Sequence, residues 1–351
     1  MLEISLILIV LLVLILPLSV HVIERNLEVF LFFMGVLAVS FSHFWGGEPV
    51  WTAKLIIEVI EEPVMITLAV LCFGALIFYF KKPVTAAVVR LERKLGSKLF
   101  CFVIVTALGL LSSVITAIIA AIILVEVVSA LKLSKNYEIK LVVLGCFSIG
   151  LGAALTPIGE PLSTICVAKL RGEPYHADFF FLFRSLGYYI IPGVLGFGLI
   201  GALLEPSLKP LTVDTGLKDK ETETIKHVVI RALKVYVFIN ALILLGAGFK
   251  PVIDKYVINL PVATLYWINS LSAVVDNATL AAAEISPSMS LTQIQAVLMG
   301  LLVAGGMLIP GNIPNIISAG RLGITSKQWA KTGLPLGVSV MAVYFIIMIA
   351  L

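Results

Sequence analysis

The sequence predicts an all-α polytopic membrane protein folded as two inverted repeats, each with a re-entrant helical hairpin and a broken transmembrane helix. Three observations lead there. The composition is extremely apolar, apolar runs of spanning length recur along the whole chain, and two sets of polar, Gly- and Pro-containing motifs reappear in the same order.

Apolar residues make up 60% of the 351 and charged residues only 13%, where a soluble domain carries about a quarter charged. The mean hydropathy is +1.10. Runs of roughly 18 or more apolar residues are long enough to cross a hydrocarbon core of about 30 Å. The four cysteines, Cys72, Cys101, Cys146 and Cys166, have no paired spacing and read as small core residues. The net charge of +4 reflects basic loops, which in a membrane protein report orientation. No nucleic-acid partner is implied.

The first run, 2–22, lacks a basic n-region and a small-residue cleavage site, so a retained span is expected and not a signal peptide. Further spans are read at 27–41, 63–80, 179–204, 228–249 and 332–351, with longer stretches at 99–131, 139–170, 261–285 and 291–320. As one helix, 99–131 would run about 50 Å. Its flanks carry Lys81, Lys82, Arg90, Arg93, Lys94 and Lys98 on one side and Lys132, Lys135 and Lys140 on the other. Basic loops stay cytoplasmic. A hairpin that enters and leaves from the cytoplasm, its tip at 112–116, satisfies both flanks. If residues 261–285 are an outward-opening counterpart, both termini are expected outside, together with the acidic Glu58, Glu61 and Glu62. The amphipathic pieces 51–60 and 84–95 are expected along the membrane surface.

The internal repeat follows from aligned interruptions. LSSVITA (111–117) matches LSAVVDN (271–277), GAALTPIGEPLS (152–163) matches GGMLIPGNIPNI (305–316), and KPV (82–84) matches KPV (250–252). Each unit reads as a span, a hairpin, a broken span and a closing span. That is an odd number of crossings, so the second copy is inverted. The organisation is N-terminal spans and an interfacial segment at 1–61, repeat 1 at 62–204, a cytoplasmic loop at 205–227 and repeat 2 at 228–351. Inverted repeats with interrupted helices at the midplane are the pattern of secondary transporters, with the binding site at the breaks.

Non-helical backbone at membrane depth is tolerated only where protein or a wet cavity surrounds it. In TPIGEP, Pro157 and Pro161 remove amide donors, Gly159 permits unusual dihedrals and Thr156 offers a hydroxyl; in IPGNIPN, Pro310, Gly311 and Pro314 do the same beside Asn312 and Asn315. Asp276, at the second hairpin tip beside Asn277, is the most informative residue, because an intramembrane carboxylate is costly and by default functional. Hard cations want oxygen ligands. The expected shell is Asp276, Asn277, Ser272, Thr279, Asn312 and Asn315 from one repeat and Thr156, Glu160, Ser112, Ser113 and Thr116 from the other, with Asp276, Asn277 and Asn312 on a transported sodium ion. A carboxylate in a partly desolvated site also competes for protons.

Other roles are open for several of these groups. Asp276 is also a suitable helix cap. Glu160, whose repeat partner by alignment is Ile313, is a cap or ion-pair candidate as well as a ligand. Glu126 and Glu284 read as interfacial groups near the hairpin mouths, with a proton relay as the other reading. Arg184, Arg231 and Lys234 read as snorkelling cations.

These motifs resemble the ion transporter superfamily, which includes NhaD-type sodium/proton antiporters, arsenite permeases and divalent anion/sodium symporters. LSAVVDNAT looks like the Asp-Asn hairpin tip of the antiporters and arsenite permeases, and ALTPIGEP like their Thr-Pro-Ile-Gly turn. With SSVITAIIAA in the first hairpin, the chain looks most like a prokaryotic family of uncharacterised function described as cation transporters. The resemblance implies paired hairpins, a central site, a homodimer and elevator-like or rocking alternating access. Thr116 and Ala117 stand where antiporter-like members often place an Asn-Asp type pair. The expected function is sodium/proton antiport in the inner membrane, without cofactor. The alternative is a sodium-coupled carrier of a carboxylate or oxyanion. No nucleophile–base set, zinc motif or Walker-type motif suggests an enzyme or a nucleotide-driven pump.

Overall fold

A computed structural model of the chain describes residues 2–20, 22–23, 26–47, 49–131, 133–204, 225–256, 260–274 and 277–350. Every element in those residues is helical, and six of the helices are long and apolar enough to cross a membrane. The chain is therefore a polytopic all-α protein of membrane type.

Helix α1 (Leu2–Ser19) packs on α2 (Leu27–Trp45). On α2 the residues Leu27, Leu31, Gly35, Ala38, Val39 and Ser42 form one buried stripe at helical spacing. That stripe meets α9 (Ile225–Tyr256), where Ser42 Oγ donates to the Gly248 carbonyl. Lys234 of α9 pairs with Glu28 of α2 at 2.8 Å, so this lysine holds two helices together where snorkelling was expected. The polar loop read at 205–227 lies outside the described residues up to 224, and its last residues open α9.

Helix α3 (Ala53–Leu95) departs from expectation. It is one helix of 43 residues, about 65 Å long, and it absorbs both amphipathic pieces read as separate surface segments. Local chemistry explains its limits. Thr52 accepts from Leu55 N at 3.2 Å at the start, and Gly96, with φ +74°, ends it. Between these residues the helix runs on through Pro63 and Pro83, so the charged ends continue the apolar middle.

Helices α4 (Ser97–Ile115) and α5 (Ala117–Ala130) divide at Thr116, inside the stretch where a hairpin tip was expected. Next come α6 (Lys135–Ala153), an irregular break, and α7 (Pro161–Lys169), followed by α8 (Phe181–Leu203). After α9, α10 (Val262–Ile268) runs into a 3-10 turn (Asn269–Ala273), then α11 (Asn277–Glu284). Helix α12 (Leu291–Gly305), a second 3-10 turn (Ile309–Gly311), α13 (Ile313–Leu322) and α14 (Ser326–Ala350) complete the chain. Both interruptions fall on the predicted motifs.

The centre of the molecule is α6 and α12, which are almost wholly buried and pack on one another. Small residues let their neighbours approach closely. Between α4 and α6, Ser148 Oγ donates to Val105 O at 2.8 Å, Ser112 Oγ to Ile149 O at 3.0 Å, and Gly152 lies against the Gly109 carbonyl. Between the α10 region and α12, Ser272 Oγ donates to Leu301 O at 3.2 Å and Gly300 lies 2.6 Å, measured from where its Cβ would stand, from Tyr266 O. Because the atom facing Gly152 is backbone and cannot turn away, Gly152→Ala is expected to cost about 1–3 kcal/mol of stability. Thermal unfolding in detergent measures that, and an unchanged midpoint would refute the close contact.

Candidate functional site

Each break is tied to the helix tip beside it. At the first, Thr156 Oγ1 donates to Ser113 O at 2.5 Å and accepts from Ile158 N at 3.3 Å, and Ala117 N donates to Gly159 O at 2.8 Å. Thr116, between α4 and α5, has φ +74° and ψ +149°. That conformation is close to glycine-only territory and costs a β-branched residue on the order of 1–3 kcal/mol. Its Oγ1 accepts from Ile119 N at 3.4 Å and so caps α5. Ser112 Oγ also donates to Gly109 O at 2.6 Å and Ser113 Oγ to Leu110 O at 2.7 Å. These hydroxyl protons are committed to backbone, and the lone pairs of the oxygens remain.

At the second break, Gly305 is the meeting point. A Cβ there would stand 3.6 Å from Ser272 Oγ and 3.8 Å from Asn277 Nδ2. Gly311 sits against Gly305 O and Ser272 O. Asn315 Nδ2 donates to Gly305 O and Leu308 O, both at 2.8 Å, the first a carbonyl at the end of α12 and the second within the break. Asn277 is buried with Nδ2 lacking a partner, and Asn315 Oδ1 is likewise unsatisfied. Asp276 lies outside the described residues, and of Thr279 only the backbone, within α11, is described.

The two breaks end alike. Glu160 precedes α7 with φ −157° and ψ +160°, and Asn312 precedes α13 with φ −157° and ψ +147°; both are buried, and neither side chain caps its helix. The motif alignment paired Glu160 with Ile313, whereas the backbone places it level with Asn312. The prolines are offset by one, Pro161 being the first residue of its helix and Pro314 the second, and a fixed-column alignment on proline therefore slips.

Counting from these caps exposes Ser163, Lys169 and Arg321, which the sequence reading missed. Ser163 stands at the same third position as the expected Asn315, both fully buried with an unpartnered side-chain atom. Lys169 and Arg321 share the ninth position. Arg321 is bonded to Glu126 of α5, and Lys169 Nζ reaches Ile285 O, just beyond α11, at 3.1 Å. Glu126 and Glu284, expected near an interface, are both buried. The only signal for these pairs was the helix-cap register, which becomes visible once the breaks are located.

Predicted ligands thus gather in two groups, Ser112, Ser113, Thr116, Thr156 and Glu160 at one break and Ser272, Asn277 and Asn315 at the other. Asn312 connects them. A Cβ on Gly150 of α6 would stand 2.8 Å from Asn312 Nδ2, next in sequence to Ile149, whose carbonyl holds Ser112.

One protein family, described as "Protein of unknown function (DUF1646)", matches residues 3–351. The chain belongs to that family. No curated protein matches it.

Proposed function

We propose that this protein is a secondary transporter of a small cation, most simply a sodium/proton antiporter, whose site lies where the two helix breaks approach α6 and α12. The observation that carries this reading is the matched pair of buried breaks, each starting a half-helix at an extended, buried oxygen-bearing residue, Glu160 or Asn312, that its own helix does not use. Carboxylate, amide, hydroxyl and backbone oxygens are the ligand types a hard cation selects.

An inverted-repeat architecture with two re-entrant hairpins is part of the proposal. Reciprocal packing supports it: α5 of the first half packs on α13 of the second, and α11 of the second on α7 of the first. So does the recurrence of a serine-to-carbonyl bond from each tip region to its central helix, Ser112 to Ile149 and Ser272 to Leu301. The resemblance to the ion transporter superfamily, the inner-membrane location and the homodimer belong to the same proposal. Lipid, sodium and protons are its partners.

The test is a sodium gradient imposed on proteoliposomes with a pH-reporting dye inside. Sodium-driven proton movement is expected in the native protein, and at least about a tenfold loss of apparent sodium affinity in Asn312→Leu, the scale of one oxygen ligand. Absence of any sodium-dependent signal in the native protein would sink the cargo assignment. A second reading, a sodium-coupled carrier of a carboxylate or oxyanion, is favoured by the first-turn amides of α7 and α13, which no cap side chain occupies and which would attract an anion. Glu160 at one of these ends opposes it. Thermal-shift screening with lithium, sodium, potassium, arsenite and dicarboxylates separates the two.

A further inference from the structure

Three buried acids have named partners of different kinds. Glu126 is bonded to Arg321, and Glu138 is paired with Lys135 at 2.6 Å. Glu284, 3% exposed at the end of α11, instead accepts from an amide, Asn269 Nδ2, at 2.8 Å. Asn269 is itself 1% exposed; its Nδ2 also donates to Leu265 O at 2.9 Å, while its Oδ1 has no partner. The arrangement is a buried carboxyl beside a buried amide with one acceptor oxygen in reserve.

From this geometry we infer that Glu284 and Asn269 form a proton-binding site, in which the Glu284 carboxyl takes up and releases the proton that this protein exchanges for its cation. The assignment of that proton to transport rests on the antiport reading. The site itself rests on the burial and the bonding.

An amide is suited to reading both states of a carboxyl because it carries a donor and an acceptor. When Glu284 is ionised, Asn269 Nδ2 donates to the carboxylate. When one proton binds, the carboxyl becomes a neutral donor, and a half-turn of the amide about Cβ–Cγ offers Oδ1 to accept its O–H, releasing the Nδ2 bond to Leu265 O. The charge changes from −1 to 0 and one O–H bond forms. A carboxylate in an apolar surround with only a neutral donor is costly to keep charged, which keeps proton uptake within reach. Glu126, beside a guanidinium, has no comparable reason to take a proton.

The elements packed against α11 are α7, α9, α12 and the Asn269–Ala273 turn. Among described side chains their titratable groups are Cys166 and Lys169 on α7 and Lys226, Lys234, Tyr236 and Lys250 on α9, with none on α12 or the turn. Lys234 is taken by Glu28 and Tyr236 donates to Ile60 O. Lys169 reaches Ile285 O, the residue after Glu284. It comes from the other half of the chain, so α7 is tied to the backbone beside Glu284.

The experiment is pH-difference infrared spectroscopy of the protein in liposomes, run beside the transport assay. The native protein is expected to show a protonated-carboxyl C=O band that disappears as pH rises, and Glu284→Gln, which preserves shape and amide contact, is expected to lack it. In Asn269→Ala the carboxylate loses its donor, so the band should persist to higher pH. In transport, Glu284→Gln should retain sodium-for-sodium exchange and lose sodium-driven proton movement. A native band set that Glu284→Gln leaves intact overturns the proposal, as does native-rate proton movement in that variant. If the native protein moves no sodium, the cargo reading falls, while the infrared arm still decides whether Glu284 binds a proton.

Discussion

Asp276→Ala is expected to abolish sodium-driven proton movement in proteoliposomes while the purified protein stays monodisperse. The residues on either side of the tip explain the size of the effect. Ser272 and Asn277 converge on Gly305 at the end of a central helix, both buried, with Asn277 Nδ2 unsatisfied. A carboxylate at position 276 is the one formal charge that the second tip contributes. Neutral oxygens alone bind a hard cation weakly, since affinity at such sites tracks the number of charged ligands. Asp276→Asn, which keeps one oxygen and removes the charge, should raise the sodium concentration for half-maximal rate by about a hundredfold or more. Unchanged transport in Asp276→Ala would remove Asp276 from the site.

Arg321→Ala is expected to destabilise the protein by about 3–5 kcal/mol, the cost of stranding one member of a buried ion pair. Arg321 and Glu126 have side chains only 13% and 9% exposed and bridge α13 and α5. Arg321 lies in the last turn of α13, where a cation also suits the helix carbonyls, and Gly323 closes that helix in a left-handed conformation. Removing both charges together, as Glu126→Gln with Arg321→Met, should recover much of the loss, because the penalty lies in the unpaired charge and not in the absent bond. A double-mutant cycle on thermal unfolding measures the coupling. Additive effects of the two changes would show that the pair is not a unit.

The broken helices were legible in the sequence for a direct reason. TPIGEP and IPGNIPN place proline and glycine where an α-helix cannot continue, and in α6–α7 and α12–α13 the chain breaks at these motifs. The division at Thr116 was legible only as the middle of an overlong apolar run. The length of α3 was not legible at all: amphipathic and apolar patterns each mark a surface, and neither says that one helix stops where the other begins. The partners of Glu126 and Glu284 were not legible for a related reason. Distance along the chain from a tip says nothing of what faces a side chain, and Arg321 and Asn269 lie far away in sequence or across a turn.

Composition, spanning runs and the paired motifs by themselves determined the membrane class, the positions of the breaks and the residue types gathered at them. These are local properties: hydropathy decides what enters a bilayer, and clustered proline and glycine interrupt a helix, whereas single prolines such as Pro192, Pro251 and Pro335 stay inside one. The tertiary structure alone decided which groups face one another, including Glu160 standing level with Asn312, Asn312 reaching Gly150, and Glu284 held by an amide while Glu126 is held by a guanidinium. Partners across a packed interface depend on helix register and rotation. A shift of one residue turns a side chain by about 100°, and an alignment anchored on prolines one position apart does not carry that information.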